Sequence, residues 1–304
     1  MKKKVLFIGS KQIGLQTLKC MHSISPDSLI GIVTYNDSSD TRTKLSDFKL
    51  YSQENNIDLF VLNKPSELKR VIEELLPDIC IVVGWYWIIK NNLLKIVPGG
   101  FLGVHASLLP KYRGGAPLVW SIINGEKESG VTLFYFDEGM DSGDILAQKK
   151  FSIGDEDTIK EILSKAEELT IDLIKENYLL ILDGNASKIK QNNSNASYCS
   201  QRKPEDGKIN WNQSNQDIYN FIRAQTNPYP GAFCFGSDHK KLYILSAKVY
   251  PNDYYGIPGL IVQCLKDHVI ITCGKGAIEI YEVKYEGLEK EPVTNVLKYG
   301  MKLE

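Results

Sequence analysis

A histidine and an aspartate stand where the chain could carry out acid–base chemistry. His105 ends the short apolar stretch Gly103–His105 and is followed by turn signals. Asp141 lies further along, inside the glycine-bounded turn Gly139–Gly143. Taken singly, such a histidine is more often a packed or surface residue, and such an aspartate is usually a turn former. Together they predict an imidazole oriented by a carboxylate, a pair suited to proton transfer at a carbonyl group.

The elements that must position this pair read as a doubly wound, mostly parallel sheet. Continuous apolar runs predict strands at 5–9, 29–34, 58–62 and 79–83. Helical spacing follows the first run, a helix is expected at 47–55, and Ser66 is expected to cap a helix that extends through Leu76. Strand and helix alternate, which is typical of an α/β fold with ligands beyond the carboxyl ends of its strands. Residues 101–153 are expected to be loop-rich and to carry function.

The second half of the chain has a different pattern. Thr158 begins a long amphipathic helix to about Leu182, and 183–202 reads as a polar linker or surface loop. A helix at 216–224 precedes short strands at 242–245, 259–263, 268–272 and 277–283. These strands predict a small C-terminal OB-like β-barrel. We therefore divide the chain into a catalytic domain (1–190), a linker with a helix (191–238) and the barrel (239–304).

Composition limits the possible functions. The 304 residues carry a formal net charge of -1, which argues against a partner held mainly through phosphate charge. No apolar run reaches the roughly 18 residues of a membrane span. The six cysteines form no C-x-x-C pair and the four histidines show no zinc spacing, so no metal is expected. We expect reduced thiols and a cytoplasmic protein.

A series of ordered blocks resembles the 10-formyltetrahydrofolate-dependent formyltransferases. The blocks are His105–Gly114, Ala116–Pro117, Asn124–Glu126, Gly130–Leu133, Gly139–Ile145, Arg202–Gly207, Trp211, Ile222–Ala224, Pro228–Phe233 and Gly274–Ile280. They cover nearly the whole chain. The resemblance implies a formyltransferase-type Rossmann-like fold and transfer of a formyl group from 10-formyltetrahydrofolate to an amine. One branch of the family acts on initiator tRNA and another on a UDP-linked amino sugar.

The resemblance also implies site residues. The family uses an Asn, a His and an Asp, of which His105 and Asp141 match two, while Gly103 stands where the Asn is usual. We expect a backbone N–H or a water to replace the Asn, with the missing side chain making room for that water or for the acceptor. Residues expected to hold or shape the donor site are Trp85, Trp87, Ile88, Ile89, Ser107, Leu108, Leu109, Pro110, Asp137, Glu138, Gly139, Met140 and Asp141.

Charge distribution bears on the acceptor. Residues 36–49 balance three aspartates against three cations, and 240–304 contain nine lysines, no arginine and eight acidic residues. This balance argues against tRNA as the acceptor and favours a nucleotide-linked amino sugar, with a UDP- or dTDP-linked 4-amino sugar as the leading candidate. We therefore expect a small-molecule partner and no nucleic acid. We also expect no membrane partner, and a homodimer is left open. Arg202, Arg223 and Tyr229 are candidates for contacts to the diphosphate and base. The alternatives are a methionyl-tRNA formyltransferase and a folate-binding protein without activity.

Overall fold

The structure is a computed structural model that describes residues 3–236 and 239–304. The strands are β1 (Val5–Gly9), β2 (Leu29–Tyr35), β3 (Leu59–Leu62), β4 (Ile79–Val83), β5 (Phe101–His105), β6 (Arg113–Gly114), β7 (Glu128–Tyr135), β8 (Ile145–Ser152), β9 (Tyr198–Cys199), β10 (Ala232–Phe235), β11 (Lys241–Val249), β12 (Ile261–Cys264), β13 (Val269–Thr272), β14 (Ala277–Tyr285) and β15 (Glu291–Pro292). The α-helices are α1 (Lys11–Ile24), α2 (Leu45–Asn55), α3 (Glu67–Leu75), α4 (Asn91–Leu94), α5 (Pro117–Ile123), α6 (Ile159–Asp183), α7 (Asn215–Arg223) and α8 (Val293–Val296).

The first sheet has the order β3-β2-β1-β4-β5-β7-β8 within the described residues. Strands β1 to β5 pair in parallel, and every residue of β1 and β4 is buried. Burial on both faces explains why these strands are continuous apolar runs. The strand order reverses between β1 and β4, and a ligand crevice is expected where that happens. The predicted α/β class with a mostly parallel sheet is confirmed.

Residues 101–153 contain more regular structure than expected from their sequence. They form β5, β7 and β8 of the first sheet, with α5 inserted. β7 runs antiparallel to β5, so Thr132 pairs with His105 and Phe134 with Gly103. The glycines and prolines that suggested loops lie mostly in the connections between these elements. The antiparallel pairing of β7 with β5 makes the residues between them regular strand.

One smaller difference concerns the start of a helix. Ser66 precedes α3, but its side chain makes no capping hydrogen bond. Instead the Glu67 carboxylate accepts hydrogen bonds from the main-chain N–H groups of Asn63 and Lys64, at 2.8 and 3.3 Å. The helix thus begins where the sequence indicates, through a different residue.

The C-terminal part forms an antiparallel sheet in the order β10-β11-β14-β13-β12, with β15 added to β14. Its core contains alternate residues of these strands, Trp211 and residues of α7. The predicted C-terminal β-structure is thereby confirmed. Along the described ranges no helix combines the length and the apolar character that a membrane crossing requires.

Contacts group the chain into two units. The first comprises 1–114, 130–151 and 165–198, and the second 115–129, 152–164 and 199–304. These groups differ from the division at 190 and 238, because two short segments of the first half cluster with the C-terminal part.

Candidate active site

His105 lies at the carboxyl end of β5 and is 9% exposed. Its Nε2 lies 2.7 Å from the main-chain oxygen of Tyr112, and because a carbonyl oxygen only accepts, Nε2 carries a proton and donates. The edge of the ring packs against Phe134, with centroids 6.4 Å apart. Nδ1 is therefore the ring nitrogen that remains to exchange a proton.

Asp141 faces that nitrogen. Its Oδ2 is 3.6 Å from Nδ1 of His105, within ion-pair range but beyond a direct hydrogen bond. The same oxygen accepts a hydrogen bond from the main-chain N–H of Gly114 at 2.8 Å. Asp141 has φ +48°, a left-handed conformation that aspartate tolerates better than most residues. The structure thus brings together the pair predicted from the sequence.

A glutamine outside the predicted site holds the Asp141 turn. The Gln191 amide donates to the main-chain oxygens of Asp141 and Gly143, at 2.9 and 2.7 Å. Its own oxygen accepts from Nε and Nη2 of Arg113, at 3.1 and 2.7 Å, and Arg113 is 2% exposed. Sequence analysis missed Gln191 because it lies in the segment read as a polar linker, where no local pattern distinguishes it.

Gly103 is covered by an aromatic ring. A Cβ placed on Gly103 would lie 2.2 and 2.5 Å from Cε1 and Cζ of Phe136 and 3.3 Å from the main-chain oxygen of Val82. The ring of Phe136 also packs against Phe134, at 5.2 Å. This corrects the expectation that the missing side chain leaves room for a water or the acceptor, because Phe136 fills that space.

The segment after His105 forms a turn bonded to β7. The Ser107 hydroxyl donates to Lys111 O at 2.6 Å, and Thr132 donates to Ser107 O at 2.6 Å. Leu109 is buried, and its N–H and oxygen bond to Thr132 and Gln148, at 3.2 and 2.7 Å. Ser107, Leu108, Leu109 and Pro110 therefore shape the neighbourhood of His105, and their contact with a donor stays a prediction.

The turn before Asp141 is held by its own side chains. Asp137 Oδ1 accepts from the Gly139 N–H at 3.0 Å and from the Ser142 hydroxyl at 2.8 Å. Glu138 forms an exposed ion pair with Lys95 at 2.8 Å, and the Lys95 ammonium lowers the pKa of the Glu138 carboxyl. Met140 is 60% exposed. The part of 137–141 that contacts His105 is Asp141.

A cavity of about 360 Å³ lies beside the 85–89 loop. Its walls come from the start of α3, the loop after β4 and α4: Pro65, Ser66, Leu68, Lys69, Trp85, Trp87, Ile88, Lys90, Asn92 and Leu93. Three of the four predicted donor residues of this loop line it, whereas Ile89 is buried in the core. None of the predicted donor-site residues at 107–110 and 137–141 lines this cavity, whereas the start of α3 does.

The cavity suits a flat ring system. Trp85 and Trp87 meet edge to face at 5.3 Å, and Tyr35 packs against Trp87 at 5.1 Å. The indole N–H of Trp85 is buried and has no hydrogen-bond partner within the described ranges. These aromatic walls fit a ligand with a flat ring, such as the folate donor implied by the resemblance.

In the second unit, the three residues predicted to contact an acceptor have different surroundings. Arg223 is 5% exposed, and its Nη1 donates to the main-chain oxygens of Gly154 and Asp157, at 3.1 and 2.6 Å. This packing gives Arg223 a structural role, and burial lowers the pKa of its guanidinium. Arg202 is half-buried and lies over the Trp120 ring at 5.0 Å, and Tyr229 is half-buried in a turn.

The described residues contain no group of three or more His, Cys, Asp or Glu side chains placed to hold a metal ion.

Two family models match the chain. The formyl transferase family matches residues 3–176, and the C-terminal domain of formyl transferases matches 202–299.

Individual relatives point in two directions. The methionyl-tRNA formyltransferase of Acetivibrio thermocellus is 32% identical over 298 residues, 95% of this chain and 94% of that protein. The bifunctional polymyxin resistance protein ArnA of Wigglesworthia glossinidia brevipalpis is 34% identical over 306 residues, 99% of this chain and 46% of that protein. The N-formyltransferase of Helicobacter canadensis, solved with folinic acid and dTDP-3-aminofucose, superposes with a TM-score of 0.68 at 24% identity, covering 92% of this chain and 99% of that one. At that identity the likeness shows a shared fold.

Proposed function

The chain belongs to the formyl transferase family and uses 10-formyltetrahydrofolate as its formyl donor, and we propose that its acceptor is the amine of a nucleotide-linked amino sugar. A UDP- or dTDP-linked 4-amino sugar is the leading candidate. The family assignment makes the chain an enzyme, so the alternative of a folate-binding protein without activity is set aside.

The catalytic proposal rests on His105 and Asp141. The bound donor supplies a formyl group that is activated for attack by an amine. The Asp141 carboxylate lies 3.6 Å from Nδ1 of His105 and is placed to orient the imidazole and to relay a proton with it. When protonated, His105 can stabilise the negative charge that develops on the formyl oxygen as the amine attacks. As the bond between the formyl carbon and the donor nitrogen breaks, His105 can pass its proton to that nitrogen, and the pair takes up the proton that the amine loses.

The donor is assigned to the cavity beside the 85–89 loop. Trp85, Trp87 and Ile88 would hold the donor there. The Ser107–Pro110 turn and the 137–141 turn would keep His105 and Asp141 in place.

The observation that carries the acceptor proposal is the local neutralisation of the segment around 36–49. Lys11 is bonded to Asp37 at 2.5 Å and to Asp40 at 2.8 Å, and Arg42 pairs with Asp40 at 3.1 Å. The Arg42 guanidinium holds the pKa of Asp40 well below its usual range. A surface built to grip a polyanion would present such cations to phosphates instead of binding them to its own carboxylates.

A second candidate function, formylation of methionyl initiator tRNA, is favoured by one surface of the second unit. On β10, β11 and β14, Lys241 lies 4.3 Å from the centre of the Phe233 ring, and Lys284 lies 5.6 Å from that of Tyr243. Lysines interleaved with aromatic rings on a sheet are used by proteins that bind nucleic acid. The Acetivibrio thermocellus relative carries the same function in its name.

One experiment separates the two acceptors. The protein is incubated with 10-formyltetrahydrofolate and either UDP- and dTDP-linked 4-amino sugars or charged initiator tRNA, and formylated product is measured by mass spectrometry. Formylation of a sugar nucleotide with no formylated tRNA supports the proposal. Formylation of the tRNA, with binding that weakens steeply as salt rises, would overturn it. The His105→Ala variant controls for formyl transfer that does not depend on the proposed acid–base pair.

A further inference from the structure

One short segment, residues 112–114, contacts both members of the acid–base pair. The main-chain oxygen of Tyr112 accepts the hydrogen bond from Nε2 of His105 at 2.7 Å. Two residues later, the main-chain N–H of Gly114 donates to Oδ2 of Asp141 at 2.8 Å. A displacement of this segment would therefore disturb the imidazole and the carboxylate together.

The backbone of this segment is strained. Tyr112 has φ +58° and Gly114 has φ +103°, both in the left-handed region. Glycine adopts such a conformation freely, whereas a residue with a bulky side chain does so at a cost in free energy. Strain of this kind persists only where the surrounding contacts hold the backbone, so the contacts of residues 112–114 decide their conformation.

The buried side chain of Arg113 supplies such contacts. Its Nε and Nη2 donate to the side-chain oxygen of Gln191, at 3.1 and 2.7 Å. Nη2 also donates to Oδ1 of Asn193 at 2.8 Å, and Nη1 donates to the hydroxyl of Tyr198 at 3.2 Å. A guanidinium that is 2% exposed is costly to bury unless its N–H groups are bonded, so these acceptors fix its position.

The segment that contains these acceptors also bonds to the main chain on both sides of the pair. The N–H of Arg113 donates to the oxygen of Ser197 at 2.9 Å, and the N–H of Tyr112 donates to the Ser197 hydroxyl at 2.9 Å. The Gln191 amide donates to the main-chain oxygen of Asp141 at 2.9 Å. One set of contacts therefore holds the backbone beside His105 and the turn that carries Asp141.

We propose that Arg113 is a positioning residue for formyl transfer. Its guanidinium holds residues 112–114 and Gln191, and thereby fixes the tautomer of His105 and the place of the Asp141 carboxylate. This inference rests on the proposed catalytic role of the pair. Lysine cannot replace the arginine, because an ammonium group lacks the planar fork that directs two N–H groups to one oxygen. Arg113→Lys thus keeps the charge and removes the geometry.

The ¹⁵N NMR signals of the His105 ring test the proposal without turnover. In a neutral imidazole, the nitrogen that lacks a proton resonates far downfield of the nitrogen that carries one. In the wild type the downfield signal should belong to Nδ1, because Nε2 donates to Tyr112, and the spectrum of His105→Ala identifies the signals. Arg113→Lys should mix the two tautomers. Unchanged signals in that variant would overturn the proposal.

Steady-state kinetics supplies the second measurement, with whichever of the sugar nucleotides or charged initiator tRNA the wild type formylates. Arg113→Lys should lower kcat on the order of 10- to 100-fold and leave the KM for 10-formyltetrahydrofolate nearly unchanged, because the reacting groups are misplaced. Combining it with Gln191→Leu should cost little more than the worse single variant, since both act through one contact. A wild-type kcat, or losses that multiply in the double variant, would overturn the role of Arg113.

Tyr178→Phe is the matched control for a loss of stability. The buried hydroxyl of Tyr178 lies 2.8 Å from that of Ser28, just before β2 and so at the opposite edge of the parallel strands from His105. This variant should unfold at a lower urea concentration and keep the wild-type kcat and His105 signals. A loss of kcat as large as in Arg113→Lys would reduce the effect to stability and overturn the positioning role. Full activity of His105→Ala would instead overturn the catalytic proposal, and this inference with it.

Discussion

Replacing Gly103 by asparagine restores the side chain that the resemblance implies at this position, and so tests whether the site lacks a hydrogen-bond donor. The new Cβ would meet the Phe136 ring at 2.2 Å, a separation that real contacts do not reach, so the ring must move. Inserting a group into packed surroundings typically costs about 1–3 kcal/mol. We therefore expect the free energy of unfolding to fall by about that amount, measured by urea unfolding.

The rate should stay level or fall. An added amide aimed at the oxyanion would be worth about 2.7–4 kcal/mol, or roughly 100- to 1,000-fold in kcat, if the site lacked a donor. With Phe136 over Gly103, the asparagine cannot enter without displacing the ring. We expect another donor to serve the oxyanion already, so the substitution crowds the site and adds nothing to the rate.

Two further variants separate crowding from donation. Gly103→Ala introduces the clash without the amide and should match Gly103→Asn in stability. Combining Gly103→Asn with Phe136→Ala removes the ring and lets the amide reach its place. Steady-state kinetics with the true acceptor measures kcat for each. A rise of tenfold or more in Gly103→Asn alone, with unchanged stability, would refute both the steric argument and the existing donor.

Three other predictions concern charge and positioning. His105→Ala and Asp141→Asn should each lower kcat about 100-fold or more, and the double variant should be little worse, since the two act as a unit; full activity of either single variant would exclude the pair from the mechanism. Gln191→Leu should lower kcat and reduce the free energy of unfolding by about 1–3 kcal/mol, because two main-chain oxygens of the Asp141 turn lose their donor. A wild-type kcat would show that the turn keeps its conformation without Gln191. Arg42 depresses the pKa of Asp40 below its ordinary value of 3.8, so the Asp40 carboxylate adds stability that is complete well above pH 3.8 and is lost as the pH falls toward its lower folded pKa. Asp40→Asn should therefore lower the free energy of unfolding more at pH 7 than at pH 3, as measured by urea unfolding. Equal effects at both pH values would contradict this.

Much of the fold follows from local patterns. Strands β1, β2 and β4 were predictable because burial on both faces demands continuous apolar runs, and α6 because one face of a long helix must be apolar. The spacing of His105 and Asp141 within ordered blocks predicted a pair that the structure places 3.6 Å apart. The acceptor contacts of Arg202 and Tyr229 and the donor contacts of the 105–110 segment remain predictions.

Other features exist only once the chain has folded. Phe136 covers Gly103 because β7 pairs antiparallel with β5, and Gln191 reaches the Asp141 turn from a segment without regular secondary structure. Residues 115–129 group with a unit formed mostly by the C-terminal half, which also depends on contacts between residues far apart in the chain. Local sequence determines which residues prefer strand, helix or turn, since that preference depends on neighbours a few positions away. Contacts between residues far apart in the chain depend on how the elements pack, so the tertiary structure alone decided what surrounds Gly103 and what holds Asp141.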